Sequence, residues 1–238
     1  MTENVDRYEV RTVYFTNYPL KHPAAYRRSR GNTEECCRLA VARAKGLSIK
    51  QMVIASDSGH SALELMKALD AEGMGEVKVV VEAGMYGETG PNETGFKPKN
   101  RETLEEKGAK IVWATSAFTG LSRAVRWRYG TIQLAEIIAA TYKTISEGVK
   151  VAVEIAMTCA DTGDLKVGEK CVAIGGTSKG ADTAVVLTPC NTFAFFDGEW
   201  GMKVHEIVCM PECRTPKAPS ALDYVTRKGK YEYISYSP

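Results

Sequence analysis

Short, almost continuously apolar runs alternate along this sequence with segments of helical periodicity, and this alternation limits the possible folds more than any other feature. The run from Val77 to Glu82, for example, contains four valines. A strand that is apolar on both faces is typical of a parallel sheet covered by helices on both sides. The sequence therefore predicts an α/β fold, namely a three-layer α/β/α arrangement with a mostly parallel mixed sheet.

The individual elements follow from the period of the apolar residues. A strand is also predicted over residues 11–16, and two later strands, 184–187 and 204–209, have no helix between them, so we expect them to pair antiparallel at a sheet edge. Asn32 and Glu35 have capping-box spacing, and Gly46 is suited to end the first helix. The other predicted strands cover 51–56, 77–82, 110–115, 149–157 and 170–175, and the predicted helices cover 32–45, 61–72, 100–107 and 131–147.

Composition places the chain among ordinary globular proteins. It has 238 residues, 44% of them hydrophobic, and a formal net charge of +2. These values exclude a collagen, a disordered chain and a disulfide-dense miniprotein, and the small net charge argues against a nucleic-acid partner. One α/β domain is predicted over 31–213, with an N-terminal arm at 1–30 and a C-terminal arm at 214–238.

The cellular location and the assembly of the protein are predicted from the residue types at its two ends and from the spacing of its cysteines and histidines. The N-terminus has no apolar signal region, and no apolar run approaches the ~20 residues of a membrane helix, so we expect a cytoplasmic protein without membrane contact. Seven cysteines without a Cys-x-x-Cys pair, and three scattered histidines, predict free thiols and no metal site. The basic N-terminal arm is either solvated or a subunit or anion contact, and with the tyrosine-rich C-terminal arm it favours a homo-oligomer.

The first candidate site is the loop between the strand at 51–56 and the helix at 61–72. Ser56, Ser58 and Ser61 offer hydroxyl groups, Gly59 allows close backbone approach, and His60 either donates to a phosphate or is exposed. Backbone N–H groups at a helix N-terminus bind phosphate well. The alternative is an ordinary turn in which Ser61 caps the helix with Glu64.

The second candidate site is a glycine-rich loop that follows the strand at 170–175. It could close over an anion with its backbone N–H groups, or be a flexible connection. Asp182 would repel phosphate, so we expect it to orient the loop or to accept from a ligand hydroxyl. The residues predicted to bind here are Gly176, Thr177, Ser178, Lys179, Gly180, Asp182 and Thr183.

Three further segments are expected at the same sheet edge. The long glycine-rich segment 82–97 is either a binding loop, with Gly95 and Phe96 as contacts, or a mobile excursion. Phe118 could lie against a planar ring or plug the core. Gly120, Ser122 and Arg123 complete that segment as polar contacts, and Thr158 and Asp161 are expected just beyond the end of the predicted strand 149–157.

The two loops resemble a known family. The run Met52 to Ala62 resembles the phosphate-binding strand, loop and helix of the pyruvate kinase C-terminal domain, and Gly168 to Val186 resembles its last strands and effector-closing loop. The run Glu154 to Gly163 is similar to the stand-alone archaeal-type proteins described as pyruvate kinase alpha/beta domain-like. This resemblance covers about residues 31–213 and implies a three-layer α/β/α fold and a phosphorylated ligand, with flavin mononucleotide (FMN) first.

The same resemblance implies limits on the activity. The catalytic barrel of pyruvate kinase is absent from this sequence, so we expect no pyruvate kinase reaction. His60 and Thr177 also depart from residues common in the effector loops, which argues against a sugar bisphosphate. We therefore predict a protein that binds FMN or another small phosphorylated molecule, with its reaction open. The alternatives are a regulatory or oligomeric sensor of a sugar phosphate or nucleotide, and an enzyme acting on phosphate esters through Asp57 or Asp161.

Overall fold

The computed structural model describes residues 12–15, 29–177 and 179–212, which form one seven-stranded sheet between two layers of helices. The strands are β1 (Val13–Phe15), β2 (Gln51–Ala55), β3 (Lys78–Glu82), β4 (Lys110–Val112), β5 (Cys171–Gly175), β6 (Thr183–Thr188) and β7 (Lys203–Pro211). The helices are α1 (Thr33–Gly46), α2 (His60–Ala71), α3 (Pro98–Glu106), α4 (Gly120–Tyr129), α5 (Leu134–Lys143) and α6 (Glu147–Asp161).

The sheet is mixed but mostly parallel, as predicted. Its order is β1-β7-β6-β5-β2-β3-β4. Strands β2, β3, β4 and β5 are parallel, whereas β6 is antiparallel to both β5 and β7. Strand β1 pairs parallel with β7. The three-layer α/β/α prediction and the predicted antiparallel pairing of the last two strands are therefore confirmed.

Each inner strand sends alternate residues into two separate cores, which explains why these runs are apolar throughout. Met52 and Ile54 of β2 pack with α1, α2 and α3 on one face. Val53 of β2 and Val80 of β3 pack with α5 and α6 on the other face. Burying both faces of the same strands stabilises the sheet by removing apolar area from water on both sides.

The predicted strand over 149–157 is wrong, because this segment lies within helix α6. Twelve of the fifteen residues of α6 are buried, so the helix lacks the polar stripe that reveals helical periodicity. The single helix predicted over 131–147 is also wrong. It breaks after α5, and the Ser146 hydroxyl accepts from the Val149 N–H at 3.0 Å to cap α6. Helix α4 was not predicted.

Two predicted features of helix α1 also differ. The Asn32 side chain makes no capping hydrogen bond, and Glu35 pairs instead with Arg38 at 2.7 Å. Gly46 is the last helical residue, and it is Ser48 that has a positive φ, of 53°. The chain therefore leaves α1 through a strained serine rather than through the glycine.

Most of the two predicted arms lies outside the described residues, namely 1–11, 16–28 and 213–238. Within the N-terminal arm, β1 belongs to the sheet, and residues 29–30 begin a 3-10 turn that leads into α1. The six described cysteines are all buried free thiols, and the Cys209 thiol donates to the Cys36 sulfur at 3.6 Å, whereas Cys213 lies outside the described residues. Within the described ranges, no helix combines the length and apolar character that crossing a bilayer requires.

Helix α6 approaches the sheet closely at two glycines. A Cβ atom on Gly175, at the end of β5, would lie 2.5 Å from the Gly148 carbonyl oxygen and 3.0 Å from the Val151 Cβ atom. A Cβ atom on Gly148 would overlap the Thr183 side chain. Neither residue has a positive φ, so packing rather than backbone conformation requires glycine at both positions.

We predict that Gly175→Ala lowers the free energy of unfolding by about 2–3 kcal/mol, because α6 must move away from β5 to admit the methyl group. Gly46→Ala is the matched control, since no atom lies within 4 Å of its ideal Cβ position and alanine favours helix by about 1 kcal/mol. Urea denaturation followed by circular dichroism measures both. Equal stability of the two variants would contradict the close packing.

Candidate functional site

The carboxyl ends of β2 and β5 lie side by side where the order of the sheet reverses. From β2 the chain adds β3 and β4 on one side, and β5 then joins the other side of β2. Such a switch point is where ligands bind in open α/β sheets. Ile54 is opposite Ile174, and continuing this register by two residues places Gly176 beside Ser56. The two loops predicted from sequence therefore leave the same point of the sheet.

The first loop turns directly into helix α2. Gly59 is the N-cap with a φ of 83°, and the Ser56 hydroxyl accepts from the Ala62 N–H at 3.4 Å. The N–H groups of His60 and Ser61 find no acceptor among the described residues, as expected for the first turn of a helix. Two N–H donors thus remain at this helix end.

The alternative in which Ser61 caps the helix with Glu64 is wrong. Helix α2 begins at His60, so Ser61 lies inside the first turn and is buried. Glu64 instead forms an ion pair with Lys67 at 2.9 Å. Of the three loop serines, Ser56 is buried and takes the capping role, and Ser58 is half-buried.

Gly59 is required by the neighbouring segment as well as by its left-handed backbone. A Cβ atom there would lie 2.7 Å from the Asn100 Cβ atom and 2.9 Å from the Phe96 ring. The Asn100 amide also donates to the Ser58 carbonyl at 2.8 Å. The sequence predicts that Gly59 allows a ligand to approach, whereas in the structure Phe96 and the first turn of α3 pack against the first loop at this position.

The buried Asp182 side chain orients the second loop, which is one of the two roles predicted for it. The Asp182 carboxylate is fully buried and accepts from the Thr177 N–H at 3.1 Å and from the Thr183 hydroxyl at 2.8 Å. The Ala181 N–H donates to the Thr33 hydroxyl at 3.0 Å, which ties the loop to the first turn of α1. Lys179 is exposed.

Of the other residues predicted to bind in this loop, two glycines form its closure and one serine is not described. Gly176 and Gly180 meet where the loop closes, because a Cβ atom on Gly176 would overlap the Gly180 carbonyl. Ser178, which was predicted to bind the ligand, lies outside the described residues.

The Thr177 hydroxyl is a buried polar group without a partner in the part of the chain that the structure describes. Its residue is 3% exposed, and no described donor or acceptor contacts the Oγ1 atom. Leaving a buried hydroxyl unpaired costs about 1–3 kcal/mol. A buried hydroxyl of this kind is explained if a ligand group completes its hydrogen bonding.

Three helix N-termini converge on these loops. Helix α1 contacts the second loop through Thr33, and α2 continues the first loop. Helix α6 begins against Thr183 and the Asp182 carboxylate, so that carboxylate lies at its positive end. The positive ends of α1 and α2 therefore face the same edge with their dipoles favouring an anion.

The two aromatic residues predicted to contact a ligand ring are buried in the cores instead. Phe96 packs in the core of α1–α3 with its ring edge-on to Trp113 at 5.9 Å. Phe118 packs in the other core, stacked on Tyr142 at 6.2 Å, which matches the alternative of a core plug. Tyr86, after β3, is an exposed ring, 52% accessible and 6.0 Å from Trp113.

The other predicted contacts are distributed around this edge or away from it. Gly95 lies near the Asp57 carbonyl, 3.4 Å from an ideal Cβ atom. Gly120, Ser122 and Arg123 form the first turn of α4, and Arg123 forms an ion pair with Glu88 at 3.9 Å.

Thr158 and Asp161 do not follow a strand, so their predicted placement is wrong. The Thr158 hydroxyl accepts from the Ala117 N–H at 3.2 Å within the core. Asp161 is the last residue of α6, where it accepts from Asn191 and Thr192. A helix of fifteen residues is about 22 Å long, so Asp161 lies far from the end of α6 that meets the second loop.

A buried group of charged residues beside this edge was missed in the sequence. Glu154 of α6 forms an ion pair with Lys150 and accepts from the Phe118 N–H at 2.9 Å. Glu82, at the end of β3, accepts from the Gly84 N–H at 3.2 Å. Burial raises the pKa of the Glu82 carboxyl to about 8, and the nearby negative charges of Asp57 and Glu154 act in the same direction.

The signal for this group was present but needed the correct secondary structure. Lys150 and Glu154 have the i, i+4 spacing of a helical ion pair, which carries no meaning in a strand.

Among the described residues, no three acidic, histidine or cysteine side chains are placed to hold a metal ion. No family model matches this sequence.

We predict that Glu82→Gln stabilises the protein increasingly as pH rises from about 5 to about 8. The unfolded carboxyl loses its proton near the usual value of 4.5, whereas the folded carboxyl keeps it until about 8. The folded wild type therefore binds the extra proton and loses up to about 1.4 kcal/mol of stability per pH unit in that range.

Urea unfolding at pH 5.5 and pH 8.5 measures this difference, with Glu102→Gln as the exposed control. A stability difference between Glu82→Gln and wild type that does not change with pH would contradict the buried, protonated state of Glu82.

Proposed function

We propose that this protein binds a small phosphorylated molecule at the carboxyl edge of the sheet, between the loops 56–61 and 176–183, and that FMN is the first candidate. The observation that carries the proposal is the buried Thr177 hydroxyl, which has no hydrogen-bond partner among the described residues and lies in the loop that leaves the sheet next to the β2–α2 turn. The resemblance of both loops to the pyruvate kinase C-terminal domain supports the same ligand class.

The described residues suit a phosphate monoester. The N–H groups of His60 and Ser61 and the hydroxyls of Ser58 and Thr177 would donate to phosphate oxygens, which only accept. The positive ends of α1 and α2 would stabilise the negative charge. Both oxygens of the Asp182 carboxylate already accept hydrogen bonds from the loop, so Asp182 orients the loop.

Fewer of the described residues suit the flavin ring than suit the phosphate. Phe96 and Phe118 are committed to the cores, so Tyr86 is the exposed aromatic side chain that we assign to contact the ring. When bound, FMN would supply electron-transfer chemistry through its ring. What the chain itself would contribute is the phosphate cradle and the position of the ring against Tyr86.

A regulatory sensor is the second candidate, and one set of contacts favours it. Phe96 and Asn100 pack on the first loop at Gly59, and Glu88 of the same connecting segment pairs with Arg123 of α4. A phosphate that orders the first loop would thus act on α4. In this version the protein forms a homo-oligomer whose stability changes with the ligand, and sedimentation with and without FMN separates the two candidates.

Isothermal titration with FMN, riboflavin and AMP tests the binding proposal directly. Binding of FMN with at least tenfold weaker binding of riboflavin, which has the same ring without the phosphate, supports it. Binding of AMP but not FMN would retain the phosphate site and remove the flavin. Absence of binding by both phosphorylated compounds would contradict the proposal.

We predict that Thr177→Val makes the ligand-free protein more stable by about 1 kcal/mol and weakens FMN binding by about tenfold. Valine has the same shape but no hydroxyl to bury, so the free energy of unfolding rises. The same change removes a hydrogen-bond donor to the phosphate, so FMN binds more weakly. Thr103→Val is the control, because that hydroxyl is exposed and bonds within α3 at 3.0 Å. Thermal unfolding and titration measure the two effects, and unchanged affinity would rule out a role for Thr177 in binding.

A further inference from the structure

Helices α4 and α5 expose large apolar side chains in succession. Leu121 is 80% exposed, Leu134 71% and Ile137 55%, and the Trp127 and Tyr129 rings are also exposed. We call these five residues the α4–α5 face. Leu134 and Ile137 share one side of α5, and Leu121 and Tyr129 lie about 80° apart around α4. Exposed apolar groups of this kind indicate an interaction site in a globular protein.

Helix α4 lacks the packing that a short helix needs. None of its ten residues is buried, and an ion pair between Arg126 and Glu136, at 2.5 Å, connects it to α5. A helix of this length is marginal in water without tertiary contacts. The fold therefore leaves α4 to be stabilised by something packed on its outer side.

Helix α5 is apolar on both of its sides. Ala139 and Tyr142 pack inward against the core of α6, whereas Leu134 and Ile137 point outward together with Thr141. A helix that is apolar all round is normally buried. The outer side of α5 thus has the composition of an interface rather than of a solvated surface.

We infer that a second copy of this chain covers the α4–α5 face in a two-fold symmetric dimer. The five side chains expose on the order of 600 Å² of surface, close to the roughly 800 Å² per partner that a stable interface buries. Leu134, Ile137 and Thr141 form an uncharged row on α5. Together with the exposed apolar residues of α4, this row gives a surface rich in apolar and aromatic residues, as in homodimer interfaces.

The charges of the two helices indicate how the copies pair. Helix α4 carries Arg123, Arg126 and Arg128 and has no acidic residue. Arg123 and Arg126 are paired with Glu88 and Glu136, but two α4 helices in direct contact would still bring the Arg128 charges of both copies together. The row of Leu134, Ile137 and Thr141 on α5 is uncharged. Because a two-fold interface places the same patch on both copies, α4 of each copy packs on α5 of the other.

Sedimentation equilibrium of the full chain at micromolar concentration tests this inference. We expect wild type at twice the chain mass, and a Leu134→Asp/Ile137→Asp variant whose dissociation constant is raised at least about 100-fold. Phe193→Asp is the matched control, because Phe193 is fully exposed outside the α4–α5 face and should leave the dimer intact. Circular dichroism confirms that each variant is folded.

Hydrogen exchange of unmodified wild type gives a second measurement that does not depend on the variants. The amides of α4 should be protected at high protein concentration and exchange on dilution. A wild type that is monomeric at every concentration would overturn the inference and leave this face to another part of the chain or to a different protein. A doubly substituted variant that remains dimeric, or α4 exchange independent of concentration, would overturn it equally.

Discussion

The close approach of helix α6 to the end of strand β5 determines the geometry of everything at the carboxyl edge of the sheet. Gly148 and Gly175 meet without room for a side chain, so the N-terminus of α6 lies against the start of β6. The Asp182 carboxylate is buried at this junction and holds the Thr177 N–H and the Thr183 hydroxyl. The shape of the glycine-rich loop therefore depends on this contact between a helix and a strand as well as on the loop's own Asp182.

The parts of the fold that were predicted correctly are short apolar runs bounded by turn residues and helices that are apolar on one face only. Strands β2, β3 and β5 and helices α1 and α2 have such patterns, and their bounds agree within a few residues. Helix α6 has almost no exposed face, so its valine- and alanine-rich run was taken for a strand. That one error displaced Thr158 and Asp161 from the helix to a strand end and hid the pairing of Lys150 with Glu154.

The candidate site could be predicted in outline for a topological reason. Loops that follow adjacent parallel strands open at the same edge, whatever their side chains do. The orientation of individual side chains could not be predicted, because it depends on packing between distant segments. Phe96 and Phe118 look like ring partners in sequence, yet the cores on the two faces of the sheet take up both rings. Gly59 looks like a ligand contact, yet Asn100 and Phe96 occupy the space beside it.

Two features at this edge reduce stability, namely the buried Thr177 hydroxyl, which has no partner among the described residues, and the buried Glu82 carboxyl. Stability-reducing groups of this kind cluster at functional sites. The most direct test of phosphate binding at this edge is to follow the backbone amide chemical shifts of isotopically labelled protein by NMR during addition of FMN. We expect the largest shifts at the amides of His60, Ser61 and Thr177. Shifts confined to other segments, with these three amides unchanged at saturation, would contradict it.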